Sequence, residues 1–231
     1  MARSYSRWYY VTMRRALVAI LTAVVALMVA TAVLAADPTK EKIARTRAGN
    51  AEAAKLVLKK RDLPDLWSGG SVKPDLSSGP TCPKYKPKQS DLVVIGAAET
   101  DWTSGANNLF SQTQVLRTPK MVSLDWKRTV ADRRVLPCLR ASFAKHAAKM
   151  GEKIVSLRWI AVPRLAAYTK AYRLRLTVVS QPAVVIAVDA LLFGSGRDEV
   201  SLIASGPDNE ELTSRKLQLR LARRLATRLH G

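Results

Sequence analysis

The amino-acid sequence predicts an α+β domain, with a curved antiparallel sheet of about six strands and helices packed on one face. Three observations predict it. The apolar patterns follow the order helix, two strands, helices, four strands, helix. The turns between the later strands are short, which favours antiparallel pairing. The first 36 residues have the pattern of an N-terminal signal or anchor segment and stand apart from the domain.

The chain begins with a basic segment followed by an apolar run. Four arginines precede an unbroken apolar stretch over residues 16–36, and Asp37 starts a polar segment. This order is typical of a signal peptide, and Ala35 and Ala36 fit its cleavage site. The run of 21 residues is also long enough for a membrane anchor, which needs about 20. We expect an exported protein, secreted if cleaved after Ala35 and otherwise membrane-anchored with residues 37–231 outside.

Residues 37–231 have the length of a single extracytoplasmic domain. The chain carries 38 Lys and Arg against 18 Asp and Glu, a net charge of +20, and the first 36 residues contribute four of those cations. Such a charge attracts polyanions, so the expected partners are an anionic envelope polymer, a lipid surface or a partner protein, with no specific nucleic acid. The alternative is that the charge only keeps a monomer soluble.

The two cysteines, Cys82 and Cys138, are predicted to form a disulfide, because an even count in an exported protein favours a bridge. A zinc site is disfavoured, since the only histidines are His146 and His230. The sequence also contains no C-x-x-C redox pair. We therefore expect neither a metal site nor a cofactor.

The elements are predicted in order from periodicity and from turn residues. Residues 39–61 have a helical pattern that Pro64 ends, and the loop over residues 68–90 is rich in Gly, Pro, Ser and Lys. Two strands, predicted at 92–103 and 109–117, follow around a turn at residues 104–108. Pro119 suits the first turn of a helix. The remaining predicted elements are strands at 153–162, 167–180, 183–193 and 199–205, and helices at 136–150 and 209–229.

No catalytic motif appears in the sequence. Gly-x-Ser-x-Gly, His-Glu-x-x-His and phosphate-loop patterns are missing, which predicts a protein that is not an enzyme. Paired carboxylates that could perform acid–base chemistry are conceivable at Glu99 with Asp101 and at Asp198 with Glu199. Both pairs lie at predicted strand ends or turns, where solvated acids are common.

Four residues are candidates for ligand binding. Trp67 and Trp102 flank loops, where an exposed aromatic ring could stack on a sugar or a base. Arg173 and Arg175 lie on the polar face of the strand predicted over residues 167–180. The alternative for the tryptophans is that they fill the core between sheet and helix.

The terminal helix has leucines at every fourth position from Leu217 to Leu229, beside many arginines. A basic amphipathic helix of this kind can lie on an anionic membrane. We favour the alternative that its apolar stripe docks on the sheet, because the sheet needs cover for its apolar face.

Several short motifs together resemble a known group of proteins. In order, they are Asp62-Leu63-Pro64 followed by Trp67, a loop with Cys82, the run from Asp91 to Glu99, and a Pro119-Lys120-Met121 helix start before Cys138. This order, over residues 50–230, resembles actinobacterial exported proteins related to the extracellular sensor domains of transmembrane Ser/Thr kinases. The resemblance implies a small α+β ligand-binding module with a cleft, and it transfers no binding residues. The chain lacks a kinase domain, and it has one candidate disulfide where the kinase sensors are expected to have more.

The sequence thus predicts a non-enzymatic, extracytoplasmic, sensor-like domain of the cell envelope that binds a ligand. Two alternatives stay open. One is an exported hydrolase that uses a carboxylate such as Glu99 or Asp101. The other is a basic protein that binds a polyanion or an anionic lipid.

Overall fold

The computed structural model describes four stretches of the chain, residues 40–76, 85–178, 183–208 and 214–231. The predicted export segment and Cys82 lie outside these stretches. Cleavage or anchoring, and the disulfide between Cys82 and Cys138, therefore stay predictions. Within the described stretches, no helix is long and apolar enough to cross a membrane.

These stretches form an α+β fold with eight strands and four α-helices. The strands are β1 (Lys42–Ile43), β2 (Ser68–Val72), β3 (Val93–Ser104), β4 (Asn107–Leu116), β5 (Lys153–Trp159), β6 (Tyr168–Val178), β7 (Val184–Ser195) and β8 (Asp198–Pro207). The helices are α1 (Arg47–Lys55), α2 (Pro119–Asp125), α3 (Val135–Lys149) and α4 (Arg215–His230). A 3₁₀ turn at Lys60–Asp62 and a π-helical turn at Trp126–Val130 complete the secondary structure.

All the described strands belong to one open, mixed sheet. The order runs β1-β3-β4-β8-β7-β6-β5, and β2 also pairs with β3. The pairing of β1 with β3 is parallel, and every other pair is antiparallel. The last strand, β8, pairs with β4 and so joins the β3–β4 hairpin to the later meander. The prediction of about six antiparallel strands is therefore wrong in number and in one pairing, because β1 and β2 are too short or too Gly-rich to produce an alternating pattern.

Helices cover both faces of the sheet, so the prediction of one covered face is also wrong. Consecutive strand residues point to opposite faces, and Leu191 and Leu192 of β7 belong to different core clusters. The cluster with Leu192 includes Phe143 of α3, and we call this side the α3 face. The cluster with Leu191 includes Leu221 of α4, and we call this side the α4 face. A strand that is buried on both faces has a continuous run of apolar residues. It lacks the alternation of apolar and polar residues that is typical of a strand with one solvated face.

The apolar stripe of α4 is buried against the sheet, as the docking alternative expects. Leu217, Leu221 and Leu225 are all buried members of the α4-face core. The Ser214 hydroxyl caps the helix by accepting a hydrogen bond from the amide of Leu217. The apolar side of α4 is therefore already occupied by the protein's own core.

The predicted helix over residues 39–61 is divided into shorter elements. The amides of Lys42, Ala44 and Thr46 donate to carbonyl oxygens in the segment from Leu92 to Ile95. These bonds hold the chain beside β3 and override its helical propensity. Helix α1 begins only after Thr46, whose side chain accepts from the amide of Gly49 at 2.9 Å.

Candidate ligand-binding face

Buried polar side chains line one region of the α3 face, across β3, β4 and β8. Glu99 lies opposite Gln112, which lies opposite Ser201, and Gln114 lies opposite Glu199. Gln112 and Gln114 lie two and four positions from Phe110, and Ser201 and Glu199 lie two and four positions from Ile203. Because Phe110 and Ile203 belong to the α3-face core, all of these residues lie on the α3 face. We call these five residues, Glu99, Gln112, Gln114, Glu199 and Ser201, the polar strip. Each is at most 8% exposed.

The polar strip is only partly satisfied by hydrogen bonds. Glu99 Oε2 accepts from the amide of Asp75 at 3.1 Å and from Gln112 Nε2 at 3.3 Å. Within the described residues, Gln112 Oε1 and both amide atoms of Gln114 have no partner. A buried polar group without a partner costs about 1–3 kcal/mol. A water molecule or a polar ligand would therefore gain the most binding free energy by forming hydrogen bonds with these atoms.

Three carboxyl groups meet at one end of the strip. Glu199 lies beside Asp125 at the end of α2, and Glu41, just before β1, is the third member. Gln89 Nε2 donates to Asp125 Oδ1 at 3.0 Å. All three acids are at most 7% exposed, and together they form what we call the acid cluster.

Burial sets the protonation of the acid cluster. Loss of solvent raises the pKa of Asp125 to about 6, against the hydrogen bond from Gln89 that lowers it. Burial, and then repulsion from Asp125, raises the pKa of Glu41 and of Glu199 well above the ordinary value. Neither carboxyl oxygen of Glu199 has a hydrogen-bond partner within the described residues. Burial and mutual repulsion therefore favour the protonated forms of Glu41 and Glu199, and the cluster carries less negative charge than its composition implies.

A small cavity lies between the acid cluster and the strip. It is lined by polar groups of Asp125, Glu199 and Ser201 and by the apolar side chains of Trp126 and Leu192. It has room for about one water molecule. In the described part of the chain, no group of three His, Cys, Asp or Glu residues is placed to hold a metal ion. The arrangement therefore suits hydrogen bonding to a neutral polar group.

The stability of the protein is expected to rise as the pH falls from about 7 to about 5. An acid whose pKa is higher in the folded state binds its proton preferentially there, so stability is lost as the pH rises towards that pKa. Burial raises the pKa of Glu99 to about 7 and that of Asp198 to about 6. Each proton that the folded state binds in excess of the unfolded state changes the free energy of unfolding by about 1.4 kcal/mol per pH unit. Thermal unfolding followed by circular dichroism across this range measures the slope.

The variant Glu199→Gln is expected to flatten this pH dependence, since glutamine keeps the shape and cannot titrate. The matched control is Asp65→Asn, which removes an exposed carboxylate. It replaces an acid by its amide, as Glu199→Gln does, and leaves the acid cluster intact. A slope that Glu199→Gln and Asp65→Asn alter to the same extent would contradict the assignment.

The four residues predicted to bind ligand are not brought together. Trp67 and Trp102 are 0% and 4% exposed and lie in the α4-face core, without the exposure that stacking requires. Arg173 donates to Asp189, and Arg175 donates to Asp208. Trp102 and Arg173 lie in one row on the α4 face, but β4, β8 and β7 separate them by roughly 19 Å.

The two predicted carboxylate pairs differ in whether their members lie on the same face of the sheet. Glu99 and Asp101 point to the same face of β3, because they are two residues apart. Asp101 Oδ1 accepts from Asn108 Nδ2, so an amide engages each member of this pair. Asp198 and Glu199 are consecutive and point to opposite faces of β8. Of the two histidines, His146 lies on α3 and His230 on α4, so the sheet separates them.

Sequence reasoning missed five members of the site, Gln112, Gln114, Ser201, Glu41 and Asp125. One signal for the first two was available, because residues 111–114 form a polar run in the strand predicted over residues 109–117. Polar residues at consecutive positions place polar side chains on both faces, which suits a buried strand only if each finds a partner. The acid cluster has no such signal, since its three members are far apart in the chain.

Comparisons with known proteins place this chain in no group. No protein-family model matches it, and no curated protein matches it either.

Proposed function

We propose that the chain is a non-enzymatic, extracytoplasmic ligand-binding domain of the sensor type, with the polar strip as its binding face. The observation that carries the proposal is that three amide atoms on β4, Gln112 Oε1 and both amide atoms of Gln114, lack partners within the described residues. Gln114 is 1% exposed and Gln112 is 2% exposed, so neither is satisfied by bulk solvent. Native proteins retain such groups mainly where another molecule completes their hydrogen bonds. The export segment and the resemblance to sensor domains support the location outside the membrane.

The chemistry of the strip favours a neutral polar ligand with both donors and acceptors. An amide offers one carbonyl acceptor and two N–H donors, and a protonated carboxyl offers one of each. Glu99, Asp125 and Glu199 would repel an anion once they lose their protons. Hydroxyl groups or amides, as in sugars and short peptides, therefore fit this face better than phosphates.

Gln114→Met is expected to stabilise the empty protein by about 1–3 kcal/mol, because it replaces an unsatisfied buried amide by an apolar side chain of similar length. The same change is expected to abolish ligand binding. Urea denaturation measures the first effect. Native mass spectrometry of the protein isolated from envelope extracts of its host measures the second, as a bound mass that the variant loses.

The matched control is Thr113→Val, on the neighbouring position of β4. Thr113 Oγ1 donates to the carbonyl oxygen of Leu56 at 3.1 Å, so this buried hydroxyl is satisfied. Its removal is expected to cost about 1 kcal/mol and to leave any bound mass unchanged. If Gln114→Met destabilises the protein as Thr113→Val does, the strip is structural and the proposal fails.

The hydrolase alternative has one supporting observation, the raised pKa of about 7 at Glu99 beside Asp101 on the same face of β3. A general acid needs such a pKa near neutrality. However, Glu99 already accepts two hydrogen bonds and is 8% exposed, which leaves little room for a reacting substrate. We therefore keep the binding module as the proposed function.

A further inference from the structure

Exposed cations surround the point where the chain enters the domain. Lys40, Lys42, Arg45 and Arg47 are exposed at the start of the described chain. Across the sheet edge, Arg117 and Lys120 are also exposed. The backbone brings the two groups together, because Lys42 pairs with Val93 and the amide of Arg117 donates to the carbonyl oxygen of Val93. We call these six residues, Lys40, Lys42, Arg45, Arg47, Arg117 and Lys120, the basic rim.

Little negative charge opposes the basic rim. Residues 40–51 and 117–124 contain a single acid, Glu41, which is buried in the acid cluster. Two other acids that lie close to these segments are engaged, since Asp91 pairs with Arg128 and Glu52 pairs with Arg197. The rim therefore presents an uncompensated positive surface.

Helix stability does not explain these cations. Arg47 opens α1, whose first turn contains no acidic residue. Positive side chains at a helix N-terminus act against the helix dipole. The rim also carries an exposed apolar residue, Ile43, at 49% exposure between Lys42 and Arg45. An exposed isoleucine among cations is better suited to the interface of a bilayer than to free solvent.

The chain outside the domain indicates what the rim faces. The apolar run ends at Ala36, and the rim begins at Lys40. Four extended residues span at most about 14 Å, so a run inserted in a bilayer holds the rim near the headgroups. We propose that the basic rim docks on the anionic headgroups of that bilayer and orients the domain. This inference rests on the export segment of the proposed function and is independent of the polar strip.

The test uses the full chain, inserted through its apolar run into nanodiscs of phosphatidylcholine, with or without about 30% phosphatidylglycerol. A neutral amine-acetylating reagent labels lysines, and mass spectrometry gives the rate at each site. We expect phosphatidylglycerol to slow labelling of Lys42 and Lys120 at least about fivefold. Lys216, exposed on α4, is expected to change less than about twofold. Raising the salt from about 0.05 M to about 0.5 M is expected to remove the protection.

Two variants with the same change of charge separate the rim from the overall charge. In Arg45→Gln/Arg47→Gln/Arg117→Gln, we expect Lys42 and Lys120 to lose their protection. In Arg140→Gln/Arg220→Gln/Arg223→Gln, changed at exposed positions of α3 and α4, we expect the protection to persist. All six arginines are exposed, so both variants should keep the fold, which the labelling rates at other lysines check.

Three outcomes would overturn the proposal. Equal protection in both lipid mixtures would show that the tether alone shields the rim. Protection of Lys216 to the same extent as Lys42 would show that no face is preferred. Protection that appears with soluble polyglutamate, and not with phosphatidylglycerol, would assign the rim to an anionic polymer. None of these results bears on Gln114→Met, so the two proposals fail separately.

Discussion

Arg173→Met is expected to lower the free energy of unfolding by about 3–5 kcal/mol, because it leaves a buried carboxylate without its counter-charge. The Asp189 side chain is 1% exposed, and both of its oxygens accept from Arg173 at 2.6 Å. Methionine preserves the packing of the aliphatic stem and removes both bonds. Urea denaturation at neutral pH measures the loss.

The matched control is Arg158→Met, at the cross-strand neighbour of Arg173 on β5. Arg158 is exposed, so this change is expected to stay within about 0.5 kcal/mol of the parent. The double change Arg173→Met/Asp189→Leu is expected to recover most of the loss, since a buried ion pair is often no better than apolar residues of similar size. A cost below about 1 kcal/mol for the single variant would mean that solvent reaches Asp189.

This pair also shows what the sequence pattern could not reveal about Arg173. Arg173 and Arg175 alternate with the buried Leu174 and Leu176, and the face of β6 that carries the two arginines is half-buried. The pattern identified the strand and its polar face correctly. It could not reveal that Asp189, a cross-strand neighbour on β7, already engages the guanidinium, because the register of β6 with β7 is a tertiary property.

Local signals predicted most of the later elements. Pro119 follows a capping Thr118 at the start of α2, and Gly196, with a φ of 58°, forms the turn between β7 and β8. Such signals depend on a few neighbouring residues. They could not predict that β8 returns to pair with β4, and this pairing places Gln114 beside Glu199 in the middle of the sheet. The polar strip is therefore a product of topology, and only its residue types were visible in the sequence.

The strip and the acid cluster share a physical consequence. Both keep polar groups in the sheet where apolar groups would be more stable. The variants Gln114→Met and Glu199→Gln are accordingly expected to stabilise the protein at neutral pH, in contrast to most buried substitutions. If a variant that lacks one of these groups is more stable, folding does not require that group. Such a group is expected to be retained for function.

Gly96→Ala is expected to destabilise the protein by about 3 kcal/mol or more, because α1 crosses β3 with no space for a side chain. A Cβ atom on Gly96 would lie 2.1 Å from the backbone carbonyl carbon and oxygen of Gly49. A Cβ atom on Gly49 would lie 2.2 Å from the carbonyl oxygen of Ile95. Backbone atoms cannot rotate away, so the helix itself must shift. That shift would disturb the hydrogen bond from the amide of Ala97 to Asn50 Oδ1.

The control is Gly70→Ala in β2, where an added Cβ would meet nothing within 4 Å. It is expected to be neutral or slightly stabilising, as it reduces the freedom of the unfolded chain. Gly49→Ala/Gly96→Ala is expected to cost less than the sum of the single changes, because one displacement of α1 relieves both clashes. Strict additivity in this cycle, measured by urea denaturation, would contradict a shared contact. Because α1 follows directly on β1 and the basic rim, the same helix shift would also move Arg45 and Arg47 away from the sheet edge.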